Sequence, residues 1–216
     1  MGIVLLQLLI SCNGHTQNAN TNSNEPDTQT NRVGGDCEVG YCDMIYLGMP
    51  KEINSVDTSA GWSEKGQKLI IRGSVYQLDG KTPAPNVIVY YHHTDNDGYY
   101  SPRNGKPENR HGHLRGWIKT DERGKYTIYT IRPAPYPNGN NPAHVHFIIK
   151  EPDINNEYWI DDLLFDDDKL LKPFIKSHPP ENRAGTGIVR IVSKDGLQIA
   201  EHKIVLGLNV PNYPKK

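Results

Sequence analysis

The residues best suited to chemistry in this sequence are two histidines separated by a single valine. His144 and His146 lie in residues 143–149, where valine, phenylalanine and isoleucine predict a β-strand. Alternate side chains of a strand point to the same face of its sheet, so both imidazoles would lie on one face. Such a pair is a common way to present two nitrogen ligands to a transition metal. An isolated pair would more often form a polar strand face in contact with solvent.

A tyrosine close to the pair changes that balance. Tyr136 lies eight residues before His144, between Pro135 and Pro137. Each proline restricts the backbone, so the phenol must point in a fixed direction. A metal site is therefore favoured over a solvated strand face.

Two further loops carry side chains of the same chemical type. The turn signal Asp97-Gly98 predicts an exposed loop that presents Tyr99 and Tyr100, and aromatic residues exposed on a loop commonly bind a ligand. A second histidine pair, in residues 111–113, has a glycine at its centre and therefore little strand character. For that pair the sequence predicts a surface loop with satisfied polar groups.

The elements that must position these residues are short strands. Runs of β-branched and apolar residues alternate with glycine, aspartate and proline turns, a pattern typical of an all-β protein with a β-sandwich fold. Residues 161–171 are compatible with a strand or a helix, because their periodicity does not decide between the two. The predicted strands are residues 69–76, 87–91, 116–120, 126–130, 143–149, 187–192 and 198–206, with hairpin turns at 121–124 and 194–196.

Composition limits the range of partners. A chain of 216 residues allows one domain of ordinary size with appendages. Its formal net charge of −1 gives no electrostatic footprint for nucleic acid. A small-molecule partner fits these properties, and the oligomeric state is left open.

The beginning of the chain has the character of an export signal. Residues 1–12 form an apolar run too short to span a bilayer, ending in Leu-Ile-Ser-Cys at Cys12. That ending resembles the lipobox of bacterial lipoproteins, in which the cysteine is lipidated. No lysine or arginine precedes the run, and an N-terminal strand of a cytosolic protein is the alternative. The prediction is a lipid-anchored protein of the bacterial cell envelope, in contact with the membrane only through Cys12.

The sequence between the signal and the domain predicts a tether. Residues 13–35 are rich in asparagine, threonine, glutamine and serine, which bury too little apolar surface to order a chain. The domain is then predicted to span residues 36–216. Cys37 and Cys42 begin it, and in an exported protein a small disulfide is favoured over a metal clip, because zinc would need two more ligands nearby.

Several short motifs together resemble the intradiol ring-cleavage dioxygenases, whose familiar members act on catechol and protocatechuate. In order and spacing the resemblance is specific, although each motif alone is weak. The motifs are Ile-Arg-Gly-Ser-Val at 71–75, Gly-Tyr-Tyr at 98–100, Thr-Asp-Glu-Arg-Gly-Lys-Tyr at 120–126, Pro-Tyr-Pro at 135–137, Pro-Ala-His-Val-His-Phe at 142–147 and Leu-Phe-Asp at 164–166.

The resemblance implies a ferric ion held by two tyrosines and two histidines. The family pattern selects Tyr100 rather than Tyr99, together with Tyr136, His144 and His146. Phenolate is a hard anionic donor that suits Fe(III), and the charge of the metal drives loss of its proton. A catechol would displace Tyr100, react with O2 and open between its two hydroxyl-bearing carbons.

Two departures from the family pattern concern the charge around the ring. Asn141 stands where the familiar enzymes have an arginine, and Asp162 stands where they have a glutamine. Electrostatic support of the reacting ring is thereby weakened. Arg115 or Arg132 is predicted to supply the missing charge from another direction.

Two other functions remain compatible with the sequence. One is a catalytically weak protein on the same fold that binds catechols or iron without cleaving the ring. The other is a zinc site formed by His144, His146 and either His111 or His113, although that arrangement leaves both tyrosines without a role.

Overall fold

The computed structural model describes residues 31–37, 41–103 and 110–214. The predicted signal, Cys12 and most of the predicted tether lie outside these ranges. The described chain begins inside the predicted tether. There Nη2 of Arg32 is 2.7 Å from Oε1 of Glu157, so residues from Arg32 onward lie against the domain.

The described residues contain ten strands, one short α-helix and two 3₁₀ helices. The 3₁₀ helices span Cys42–Ile45 and Ala60–Ser63, and helix α1 spans Leu171–Ser177. Among the described residues, no helix is long and apolar enough to cross a membrane. The strands are β1 (Val56–Thr58), β2 (Lys68–Tyr76), β3 (Ile88–His93), β4 (Arg115–Lys119), β5 (Lys125–Ile131), β6 (His144–Lys150), β7 (Tyr158–Phe165), β8 (Ile188–Val189), β9 (Ile191–Lys194) and β10 (Leu197–Val205).

The strands form two five-stranded sheets that pack as a β-sandwich, which confirms the predicted fold class. One sheet has the order β1-β5-β2-β10-β9 and the other β4-β3-β6-β7-β8. Their inner faces share one hydrophobic core, to which β2 contributes Leu69 and Ile71 and β6 contributes Val145 and Phe147. Burial of these alternating side chains is the main force that holds the sheets together.

The predicted strands all occur, with differences at two places. Residues 187–192 form β8 and β9 instead of one strand, because the chain changes sheets at Arg190: β8 pairs with β7, and β9 pairs with β10. The undecided segment is strand up to Phe165 and helix from Leu171. Three-residue β1 was not predicted, since its sequence Val-Asp-Thr is too short to show a period.

Strand β6 is central in its sheet and carries the histidine pair on its outer face. Its neighbours are β3, where His92 is opposite His146, and β7, where Leu164 is opposite His144. Because Val145 and Phe147 point into the core, the two histidines point away from it.

The N-terminal residues cover part of this outer face. Tyr46 donates a hydrogen bond to Glu157 Oε2 (2.8 Å), and Arg183 donates one to the carbonyl oxygen of Gly34 (2.7 Å). The predicted disulfide between Cys37 and Cys42 is present. Residues 31–37 and 41–47 are thus tied to the sheet that carries the histidine pair.

Candidate metal centre

Four side-chain donor atoms meet above the outer face of β6. The Tyr100 and Tyr136 hydroxyl oxygens are 2.9 Å apart, and the Tyr136 oxygen is 3.1 Å from Nε2 of His144. Nε2 of His144 is 3.1 Å from Nε2 of His146, which is 3.0 Å from the Tyr100 oxygen. The structure therefore brings the four predicted ligands together in a closed ring of contacts.

The two tyrosines come from loops that pack on one another. Gly98 adopts a φ of +85°, and a Cβ there would lie 2.2 Å from the carbonyl oxygen of Pro135. Only glycine allows so close an approach in this conformation. Thr94 Oγ1 also donates to the carbonyl oxygen of Ala134 (2.7 Å). The loop of Tyr100 is thus fixed against the loop of Tyr136. Tyr99 is 57% exposed and lies outside the ring of donors.

Hydrogen bonds fix which nitrogen of each histidine carries a proton. Nδ1 of His144 lies 2.7 Å from the carbonyl oxygen of Pro142, which can only accept. Nδ1 of His146 lies 2.7 Å from Oδ1 of Asp162. Although desolvation acts to raise the pKa of Asp162, its interactions with the histidines hold that pKa below the usual value, so it is an ionised acceptor. Burial lowers the pKa of His144. His144 therefore presents an Nε2 lone pair, and Nδ1 of His146 is committed to Asp162.

The ring of donors has too few protons for its contacts. Burial raises the pKa of Tyr100 and of Tyr136, so both phenols carry a proton in the absence of a cation. Two phenolic protons, with at most one more on Nε2 of His146, serve four contacts, so at least one contact places lone pair against lone pair. A cation at the centre would lower the pKa of both phenols and satisfy all four donors. The donor set fits a transition metal with nitrogen and phenolate ligands.

Asp162 lies on the far side of His146 from the ring of donors. In the described parts of the chain, one group of three histidine, cysteine or carboxylate side chains has ligand atoms within 4.8 Å of one another: His144, His146 and Asp162. Because Asp162 accepts from Nδ1, its position is that of an outer carboxylate that orients a metal-binding histidine.

The second histidine pair is not a surface loop, so that prediction is wrong. His111 is 1% exposed and stacks on His92, with ring centroids 3.6 Å apart. His113 is half-buried between Glu64 and the carbonyl oxygen of Ser101, each at 2.7 Å. The intervening Gly112 packs against the backbone of Tyr100, where a Cβ would lie at 2.8 Å. The loop of residues 111–113 therefore packs against the loop of Tyr100 and supports it. The sequence did not predict this burial, because the residues that cover the loop are distant in sequence.

The position of the second pair also contradicts a zinc site that includes it. Nδ1 of His111 is 2.9 Å from the Tyr90 hydroxyl, and His92 lies between the His111 and His146 rings. His113 is bound to Glu64 and Ser101. Neither histidine shares the group of converging ligand atoms.

Sequence reasoning missed two residues that surround the pair. His92 is fully buried on β3, and its ring stacks on His146 with centroids 4.7 Å apart. Its Nε2 is 2.9 Å from the hydroxyl of Tyr41, whose ring meets His146 edge-on at 6.2 Å. Neither residue belongs to a local motif, because their contacts depend on strand order and on the N-terminal segment.

Neither predicted arginine reaches the site, which contradicts the prediction that one of them supplies charge there. Arg132 forms two hydrogen bonds with Asp167, at 2.8 and 2.6 Å, and lies over the ring of Phe165. Arg115 donates to the carbonyl oxygen of Leu47 (2.8 Å) and lies over Trp117. Both guanidinium groups are engaged by neighbours outside the cavity.

The four residues that carry the donor atoms line a cavity of about 660 Å³. Asn141 lines it, as do the aromatic side chains of Tyr41, Trp159 and Phe174. A single aromatic ring fits a cavity of this size.

Comparison with known proteins places these features in a family context. A family model described as a dioxygenase matches residues 46–205. Catechol 1,2-dioxygenase of Acinetobacter baylyi is 31% identical over 122 residues, which are 49% of this chain and 39% of that protein. The protocatechuate 3,4-dioxygenase beta chain of Burkholderia cepacia is 27% identical over 152 residues, 66% of this chain and 62% of the relative. The chain thus spans about two fifths of the first relative and about three fifths of the second.

Solved structures show the same fold. The dioxygenase domain of a dioxygenase and carbohydrate-binding protein fusion from Streptomyces sp. SirexAA-E has a TM-score of 0.55 at 19% identity, over 73% of this chain and 91% of that chain. The 3-chlorocatechol 1,2-dioxygenase of Rhodococcus opacus has a TM-score of 0.54 at 23% identity, over 73% of this chain and 67% of that chain.

Proposed function

Because this chain belongs to the intradiol ring-cleavage dioxygenase family, we propose that it is a non-haem Fe(III) enzyme that cleaves a catechol-type ring with O2. The bond broken would be the one between the two hydroxyl-bearing carbons. The product would be a muconate-type dicarboxylate.

The observation that carries the proposal is the proton shortage in the ring of donors. Two phenol oxygens and two imidazole Nε2 atoms converge within 3.1 Å of their neighbours, with too few protons for all four contacts, and a bound metal cation would satisfy them together. Phenolates are hard anionic donors, and two of them favour Fe(III) over Zn²⁺. When bound, the ferric ion would supply Lewis acidity and a template for the catechol.

The side chains of this protein have separate roles in the proposal. His144 and His146 would hold the metal, and Asp162 would fix the orientation of the His146 ring. Because burial raises the pKa of Tyr100, its oxygen would carry a proton whenever it is not bound to a cation. The Tyr100 oxygen would therefore be the acceptor for a proton that a catechol hydroxyl loses. The walls of Trp159 and Phe174 hold the ring and exclude water.

A catechol- or iron-binding protein without turnover is the second candidate, and one observation favours it. No lysine or arginine among the described residues lines the cavity, and Asn141 occupies the position of the family arginine. A preorganised donor of this kind typically contributes about 100- to 1000-fold in rate.

The test of the proposal combines colour and oxygen consumption. The iron-loaded chain should show visible absorption from tyrosinate-to-iron charge transfer, which Tyr136→Phe or His146→Ala should abolish and the control Tyr99→Phe should retain. Catechol should shift the absorption band and then be consumed with one O2 per ring. A shifted band without O2 uptake would favour the binding protein. A colourless protein that holds iron would contradict both candidates.

A further inference from the structure

The charges in the cavity indicate which catechols this chain accepts. On the basis of the proposed function, we infer that the site binds catechols whose ring substituent is neutral or carries an ammonium group. Catechols whose substituent carries a carboxylate should bind more weakly. The metal ligands fix where the two catechol oxygens bind. The substituent must then lie along the remaining cavity wall.

That wall is acidic. Four carboxylates line the cavity, and among the described residues no lysine or arginine does: Asp36, Asp161, Asp162 and Glu181. A carboxylate substituent would therefore enter a region of negative charge without a lysine or arginine to pair with it. Apart from the two histidines of the donor ring, the one basic side chain among the described lining residues is the imidazole of His178, which is exposed and stacks on Phe174. An ammonium group would be attracted by the same field.

The four carboxylates differ in what they already bind. Asp162 is committed to His146, and Asp161 accepts backbone N–H groups of Asn182 and Arg183, at 2.8 and 3.1 Å. Asp36 and Glu181 are exposed, so they lie where the cavity opens to solvent. A ring substituent that points outward from the metal would meet these two first.

The buried cation nearest this wall lies behind an aromatic ring. The Arg183 guanidinium carbon is 3.4 Å from the ring centroid of Trp159, and Nη2 donates to the carbonyl oxygen of Gly34 at 2.7 Å. Arg183 is 3% exposed, whereas Trp159 lines the cavity. The guanidinium therefore makes no direct contact with a substituent, and its charge acts on the wall only by attracting Asp161 and Glu181.

Part of the acidic wall lies outside the region that the family model matches. Asp36, Cys37 and Tyr41 line the cavity and precede residue 46. The disulfide of Cys37 with Cys42 and the contact of the Tyr41 hydroxyl with His92 hold them there. The N-terminal segment thus contributes to the cavity wall from outside the region that the family model matches.

The test uses three catechols in which the ring carries the same two-carbon chain with a different end group. They are 4-ethylcatechol, which is neutral, dopamine, which carries an ammonium group, and 3-(3,4-dihydroxyphenyl)propionate, which carries a carboxylate. Binding to the iron-loaded chain is measured without O2 by absorption titration and by calorimetry. At about 0.02 M ionic strength, where charges interact over tens of ångströms, dopamine should bind at least as tightly as 4-ethylcatechol. The carboxylate should bind roughly tenfold more weakly or worse, and about 0.5 M salt should narrow the gap by screening.

Reversing the charge of the two exposed carboxylates tests whether they cause the preference among the three catechols. Asp36→Lys with Glu181→Lys should favour the carboxylate over dopamine. Glu201→Lys is the matched control, since Glu201 is 74% exposed on β10 of the other sheet, and it should leave the order unchanged. Equal or tighter binding of the carboxylate by the wild type would overturn the inference while leaving the proposed function intact. Failure of 4-ethylcatechol to bind would instead overturn the proposed function, and the inference with it.

Discussion

Replacing Asp162 should weaken iron binding by about one to two orders of magnitude, although this residue is not a ligand. Its Oδ1 accepts from Nδ1 of His146 at 2.7 Å, a charge-assisted hydrogen bond between a carboxylate and an imidazole that is 19% exposed. Hydrogen bonds to charged groups contribute about 1.5–3 kcal/mol, which corresponds to roughly 10- to 150-fold in a binding constant. Losses on removing an outer partner of a metal-bound histidine typically fall at about 10- to 100-fold. The two estimates agree.

Two substitutions separate the charge from the hydrogen bond. Asp162→Asn keeps an oxygen acceptor and loses the charge, so it should cost less than Asp162→Ala, which loses both. Iron affinity is measured by competition with a chelator of known stability, and circular dichroism checks the fold. Asp167→Asn is the control, because Asp167 is bound to Arg132 outside the cavity. If Asp162→Ala binds iron as tightly as the wild type, the outer carboxylate does not orient His146 and the reasoning fails.

Four further predictions can each be tested with a single substitution. Asn141→Arg should raise turnover by about 100-fold or more, with little change in catechol Kd. An unchanged kcat in oxygen-electrode assays would mean that charge at this position does not limit the rate. Gly98→Ala should lower the unfolding temperature and weaken the visible absorption of the iron-loaded protein. Gly196 is the control, because it has a similar φ of +77° but no atom lies within 4 Å of the position that a Cβ would take. Gly196→Ala should therefore lower the free energy of unfolding by only about 1 kcal/mol in a denaturant titration. His202 is buried with its pKa lowered to about 4 from 6.5, so the unfolded chain takes its proton first and stability falls as pH drops from 6.5 towards 4. At about pH 5 this histidine costs roughly 2 kcal/mol, and His202→Gln should flatten that slope in urea titrations at several pH values. Cys12→Ser should release the protein from the membrane fraction, and a mutant that stays membrane-bound would contradict lipidation there.

The structure also gives the metal centre a supporting layer. His111, His92 and His146 form a stack of rings behind the donor atoms, with centroid distances of 3.6 and 4.7 Å. Desolvation by burial holds the pKa of His92 well below 6.5 and lowers that of His111 to about 3, so neither ring adds charge beside the donor atoms. Rigid neutral packing of this kind keeps a ligand ring in one orientation.

Local patterns were enough to predict the fold class and to single out His144, His146 and Tyr136, whereas the choice of Tyr100 over Tyr99 came from the resemblance to the family. Strand periodicity and turn residues depend on neighbours in sequence, and the two-residue spacing of His144 and His146 places both on one face of any strand. The prolines on either side of Tyr136 act through their own backbone geometry. Each of these features depends on residues that are close together in sequence, so it can be recognised without knowledge of the tertiary structure.

Only the tertiary structure decided what surrounds the donors. His111 is buried, and Arg132 is engaged by Asp167, because elements distant in sequence become neighbours when the sheets form. Tyr41 reaches the cavity because the N-terminal segment crosses the outer face of β6. Charges and polar side chains pair with whatever lies within a few ångströms, and that distance is fixed by strand order rather than by sequence spacing. The sequence therefore determined which side chains are the candidate metal ligands, and the packing of the two sheets determined the charge, burial and shape of the cavity that they line.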